Sequence, residues 1–203
     1  MSQPDFRAAI AAYIREQARP ADKYSHQPRL YRLTQAVGAG QAYDDDIVYA
    51  AAWLHDLGVF VGHRPEEIEA LSRWDNVAYA IERAPALLSQ FGFPAAKVPA
   101  VQAAIAAHLP SGQPDAIEGV ILRDADILEQ LGAAGMLRAI SKVGRDTRFP
   151  LFDDVLRQLR QNIERLPGQL RLPAARDLAG PRVELIRAFL AAAEAEGIGV
   201  LDL

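Results

Sequence analysis

Apolar residues recur three and four positions apart over most of this chain, and runs of alternating β-branched residues are scarce. That period builds helical stripes rather than the two-sided pattern of strands. Helices are predicted over residues 4–18, 23–38, 44–57, 65–90, 95–108, 115–131, 133–145, 150–165 and 174–196, which makes the fold class all-α. Breakers fall between them at Arg19-Pro20, Gly38-Ala39-Gly40, Gly92-Phe93-Pro94, Pro110-Ser111-Gly112 and Pro167-Gly168. Pro lacks a backbone donor and Gly tolerates positive φ, so each of these favours a turn. None is long enough to link domains, and a single domain over residues 1–203 is expected. The Ala-rich tail keeps Val183, Ile186 and Leu190 at helical spacing, so the helix near 174–196 is expected to pack on the core.

Composition narrows the chemistry. The chain has 203 residues, half of them hydrophobic, enough to bury a substantial core. Its formal net charge is −4 with both signs interspersed, so no basic stripe for a long nucleic acid is expected. The absence of cysteine removes disulfides, thiolate metal sites and a cysteine nucleophile, leaving His, Asp and Glu for metal work. Met1 to Phe6 shows no basic-then-apolar leader pattern, and no stretch of about 18 apolar residues occurs. A cytoplasmic protein without membrane attachment is the expectation.

Four histidines and a few inward carboxylates are the candidate chemistry. Ile47, Ala51 and Leu54 mark one helical face that His55 continues, so His55 points inward. Asp56 lies about 100° further round a helix, which lets both side chains converge on one ion at the helix end, with Gly58 free to turn the chain away. His26 heads a stripe with Leu30, Leu33 and Val37, and His108 extends one with Val98, Val101 and Ile105. Asp124 and Asp126 sit in the apolar stretch Ile121 to Leu128, where an unpartnered carboxylate is costly. A metal ion is one partner; Arg123 or Arg138 is another, and spacing does not choose between the two aspartates. Imidazole and carboxylate together suit manganese, magnesium, iron, zinc or a similar divalent ion.

The order of these residues resembles the HD-domain superfamily of metal-dependent phosphohydrolases. Four stretches carry the likeness: Ser25-His26-Gln27-Pro28-Arg29-Leu30, Trp53-Leu54-His55-Asp56-Leu57-Gly58, Ala104-Ile105-Ala106-Ala107-His108, and Asp124-Ala125-Asp126-Ile127-Leu128 through Gly135. With the region from Asp177 to Leu190, they look like the small stand-alone bacterial members. The resemblance implies a multi-helix HD bundle with one divalent ion held by His26, His55, Asp56 and Asp126, while Asp124 either supports the metal ligands from behind or supports the structure. Two departures stand out. Many members have Lys or Glu three residues after the paired Asp, where this chain has Val59; two-metal members supply a further histidine where this chain aligns Asn76. One ion is therefore expected, with His63 a loop histidine that reaches the site only if the loop swings in.

The activity implied is hydrolysis of a small phosphate compound, a nucleotide first of all, by a metal-activated water. Asp56 or Asp126 would orient that water, His108 would handle a proton or contact phosphate, and Lys23 and Arg29 would neutralise substrate oxygens. The rivals are an HD-fold iron oxygenase, which Asn76 disfavours, and a metal- or nucleotide-binding regulatory module without chemistry. A homodimer is left open.

Overall fold

Helices form where the apolar stripes predict them, in a computed structural model that describes residues 5–146 and 148–198. Residue 4, the predicted start of the first helix, and the stretch read for a leader up to that residue lie outside the described residues. Among those described there are ten α-helices and no strand beyond a single bridge between Val61 and Arg64. The chain divides into two compact units, one ending at Arg123 and the other beginning at Asp124.

The first unit contains α1 (Phe6–Gln17), α2 (His26–Val37), α3 (Asp45–Leu54), α4 (Ile68–Ser72), α5 (Asn76–Gln90) and α6 (Val98–Ala106). It also holds the first half of α7 (Ile117–Glu129). α3 is its centre: every residue from Ile47 to Leu54 is buried, as expected of a helix apolar all round, and it packs on α1, α2 and α6. Its N-terminus carries Asp44, Asp45 and Asp46, where the helix dipole favours negative charge. Asp44 caps the helix by accepting from the Asp46 backbone N–H at 3.0 Å. Arg7 reaches Asp45 at 2.8 Å and Asp46 at 2.6 Å, and Lys97 reaches Asp44 at 2.7 Å and Asp46 at 2.8 Å. The Arg7 and Lys97 hydrogen bonds hold the Asp46 carboxyl below its ordinary range.

The second unit contains the rest of α7 with α8 (Gly132–Ile140), α9 (Phe152–Arg165) and α10 (Pro173–Ala195). α10 packs on α8 and α9 through a stripe of Ala175, Ala179, Val183, Ile186 and Leu190, close to the predicted span.

Several predicted helices are shorter or broken, among them the one expected over 133–145, which ends at Ile140. Residues 65–90 form α4 and α5 rather than one helix, because the Asp75 side chain accepts from the backbone N–H groups of Val77 at 3.0 Å and Ala78 at 2.9 Å and starts a new helix. The segment expected to be helical from residue 23 begins as a 3₁₀ turn over Ala21–Ser25, with α2 starting at His26.

Candidate metal centre

His55 follows the last residue of α3 and still has helical backbone angles, its N–H bonded to the Ala51 carbonyl at 3.0 Å. Its ring is 1% exposed, and Nδ1 lies 3.0 Å from the Ala52 carbonyl. A carbonyl only accepts, so Nδ1 carries the proton and Nε2 presents its lone pair. That lone pair faces Nε2 of His26, 3.3 Å away, on the first residue of α2. Burial of both rings means a proton or a cation must lie where the two nitrogens meet.

Asp56 leaves the helix, with φ −95° and ψ 11°, and opens the 3₁₀ turn Leu57–Val59. The sequence expectation kept it inside a helix reaching residue 57. The departure still brings its carboxylate to the histidines: Oδ2 is 3.5 Å from His26 Nε2 and Oδ1 is 3.6 Å from His55 Nε2. Gly58 makes this turn possible. A Cβ there would stand 2.6 Å from the Asn76 carbonyl oxygen and 2.7 Å from the Asn76 Cα, and the indole N–H of Trp74 donates to the Gly58 carbonyl at 2.8 Å. The motif thus rests against the start of α5, a support that the spacing of apolar residues did not reveal.

The donor atoms of His26, His55 and Asp56 all lie within 4.8 Å of one another. Two nitrogens bound to one ion at about 2.0–2.1 Å stand about 2.8–3.4 Å apart, from octahedral to tetrahedral angles, and the 3.3 Å separation falls in that range. Two neutral imidazoles and one carboxylate fit a divalent ion of borderline hardness.

His108 lies just past α6 rather than within it and is 2% exposed. Its Nδ1 donates to the Ile105 carbonyl at 2.6 Å, and its ring centroid is 4.9 Å from that of His55. Three of the chain's four histidines are therefore gathered in the first unit's interior. Lys23 lies on the turn before α2, and Arg29 lies on α2, where it donates to the Ser25 carbonyl at 3.1 Å. Val59 sits in the turn after Asp56, and Asn76 opens α5.

His63 is half-buried and engaged. Its Nε2 donates to Gln17 Oε1 and its Nδ1 accepts from the Tyr79 hydroxyl, both at 2.9 Å. Burial, then the nearby Arg83 charge, pushes its pKa below the ordinary histidine value. These bonds hold it as a tie between α1 and α5 instead of a mobile loop histidine.

In the second unit the two neighbouring aspartates differ. Asp124 is fully buried, and its Oδ2 accepts from the backbone N–H groups of Arg171 at 2.8 Å and Leu172 at 2.7 Å, directly ahead of α10. It anchors the entry to that helix. Asp126 lines a cavity with Glu129 and Arg138, the latter named from the sequence as a partner for one of the two aspartates; Lys142 and Arg148, which also line it, carry no sequence signal.

No curated protein matches the chain by sequence. Among solved structures, YpgQ of Bacillus subtilis in complex with ADP is 23% identical with a TM-score of 0.72, covering 97% of each chain. The Lin1889 protein of Listeria innocua is 17% identical with a TM-score of 0.71, also covering 97% of each. An HD-superfamily hydrolase from Bacillus thuringiensis is 19% identical with a TM-score of 0.68, covering 94% of this chain and 95% of that one. These likenesses establish the fold. The HD domain family model matches residues 23–131, a span that includes His26, the His55-Asp56 pair and Asp126, and this chain belongs to the HD domain family.

Proposed function

We propose that the chain is a metal-dependent phosphohydrolase acting on a small phosphate compound, with a nucleotide as the first choice. The observation that carries this reading is the buried meeting of His26 and His55 nitrogens beside the Asp56 carboxylate. His26, His55 and Asp56 would hold the ion, and Asp126 is proposed as its fourth ligand on the likeness of its segment to the family pattern. When bound, a divalent ion polarises a phosphoryl oxygen and lowers the pKa of water beside it.

The protein's own groups do the rest. Asp56 orients the attacking water through its carboxylate. His108, whose Nδ1 proton is tied to Ile105, takes or gives a proton at Nε2. Lys23 and Arg29 meet substrate oxygens, Arg29 through its planar fork. The nucleotide class is supported by the ADP complex of YpgQ, a structural relative. No helix among the described residues is long and apolar enough to cross a membrane, so a water-borne substrate is consistent with the chain.

The test is a phosphate-release screen over nucleoside mono-, di- and triphosphates with manganese or magnesium added. Release that depends on added metal is the expected result. Oxygen consumption with two irons bound would select an oxygenase instead, and tight nucleotide binding without turnover would select a regulatory module.

A further inference from the structure

Asp56 is held differently from the two histidines beside it. His26 opens α2 and His55 directly follows α3 with helical backbone angles, so helices aim both rings, whereas Asp56 sits where the chain has left α3. A side chain on such a turn is only as well placed as the loop that follows it. That loop is fastened at several points within the first unit. The Trp74 indole N–H donates to the Gly58 carbonyl at 2.8 Å, Phe60 is fully buried, and the Val61 N–H donates to the Arg19 carbonyl, past the end of α1, at 3.1 Å. Gly62 then takes φ +93°, a left-handed conformation open to glycine. The N–H groups of His63 and Arg64 both return to the Phe60 carbonyl, at 3.0 Å and 3.1 Å.

His63 closes the loop by using both ring nitrogens. Gln17 Oε1 only accepts, so it fixes the proton on Nε2 and leaves the Nδ1 lone pair for the Tyr79 hydroxyl. The lowered pKa that burial gives the ring favours the neutral form that these two bonds require. The Tyr79 ring stands 5.2 Å from that of Trp74, the residue that holds Gly58, and the Phe60 ring stands 6.3 Å from the imidazole, both between centroids. The contacts therefore form a circuit, from Gly58 through Trp74 and Tyr79 to His63 and back along the backbone through Phe60 toward Asp56. An apolar side chain could fill the same space; what the imidazole adds is direction, because a donor and an acceptor with preferred angles set the loop in one position.

We propose that His63 is a positioning residue for the metal centre: tied to Gln17 and Tyr79, it closes the loop that begins at Asp56 and holds that carboxylate beside His26 and His55. The inference rests on the metal centre of the proposed function and not on its reaction, and it gives His63 no bond to the ion.

The probe is cobalt(II), titrated into the full chain after dialysis against a chelator, with visible absorption as the readout because the bands follow the number and arrangement of ligands. Loss of a group that supports metal ligands costs about 10- to 100-fold in affinity, and His63→Ala, which acts through the loop, should fall at the lower end, about tenfold, with a changed spectrum. His63→Gln keeps one donor and one acceptor and should recover most of the loss. Tyr79→Phe removes a single hydroxyl, so it carries little risk to folding, and should weaken binding by roughly threefold. The control is Phe6→Leu, which breaks the edge-to-face pair with Phe93, 5.1 Å between centroids, at the other end of α1. It should lower the melting temperature and leave cobalt affinity within about twofold. Equal affinity in the unmodified, His63→Ala and Tyr79→Phe chains overturns the proposal. So does a His63→Gln affinity no better than that of His63→Ala, or a loss in Phe6→Leu as large as in His63→Ala, since the His63 bonds would then only stabilise the packing of α1 and α5. A chain that binds cobalt as expected but releases no phosphate refutes the hydrolase reading and leaves the positioning role standing. An unmodified chain that takes up no cobalt refutes the metal centre and this inference with it.

Discussion

The two units solve the problem of buried polar groups in different ways. In the first, His55 and His108 each bind a carbonyl one turn back along their own helix, so the backbone fixes which nitrogen is left for other work. In the second, the cavity groups are long cations oriented by Glu129, Asp146 and the face of Phe149. A short imidazole locked by backbone suits a metal, whose bond lengths tolerate little error. If this contrast is right, small changes in the first unit should be felt sharply, whereas the second should respond in proportion to charge.

The sharpest break is Asp56→Ala. Removing a ligand should cost more than the 10- to 100-fold seen for residues that merely support metal ligands, so hydrolysis should fall by at least about a hundredfold. Steady-state phosphate release with manganese in excess reads this; activity within a few-fold of the unmodified chain would dissolve the distinction between the units.

Next come the neighbouring aspartates of the second unit. Asp124→Ala removes the acceptor for two backbone donors before α10 and should cost about 2–3 kcal/mol in denaturant unfolding, with metal content unchanged. Asp126→Asn should do the opposite, sparing stability and weakening metal binding. A reversed pattern would move the proposed ligand to Asp124.

A smaller effect separates two glycines. Gly58→Ala places a methyl group against the Asn76 backbone and should lower stability by about 1–3 kcal/mol, the usual cost of overpacking, while loosening metal binding. At Gly168, in the second unit, an added Cβ meets nothing within 4 Å, so Gly168→Ala should stay within about 0.5 kcal/mol. Equal melting temperatures for the two variants would contradict the close packing behind the metal motif.

The smallest effect is a pH dependence. Hydrogen bonds from Arg148 hold the Asp146 carboxyl down to about 2. A depressed folded-state pKa gives stability that is complete above the unfolded value of about 3.9 and lost as pH falls toward 2. Because Arg148 is largely exposed, the amount should be about 0.2–1 kcal/mol. Unfolding measured from pH 5 to pH 2.5 should show a shallower acid loss in Arg148→Gln; an identical slope would mean the pair contributes nothing.

Much of this was legible from residue order. The 3.6-residue period located α1, α3, α9 and α10 to within a few positions, and the inward stripes pointed His26 and His55 at a common interior. Asp56 was harder, because its place depends on leaving the helix at a turn that Gly58 and Trp74 hold against α5, a contact between segments far apart in sequence. Periodicity could not separate Asp124 from Asp126, whereas the hydrogen bonds ahead of α10 assign the former a structural role. The nearness of His108 to His55 came from resemblance alone. The sequence offers Arg138 only as a partner for Asp124 or Asp126 and leaves Lys142 and Arg148 as surface charge, since nothing in a single sequence tells a cation lining a cavity from one facing water.

The central claim is that His26, His55 and Asp56 hold one divalent ion. Elemental analysis of extensively dialysed protein, beside its Asp56→Ala variant, tests it most directly. The account predicts close to one ion per chain in the unmodified protein and almost none in the variant, consistent with Asn76 standing where a second-site histidine would. Equal metal in the two proteins, or two tightly held ions per chain, would contradict it.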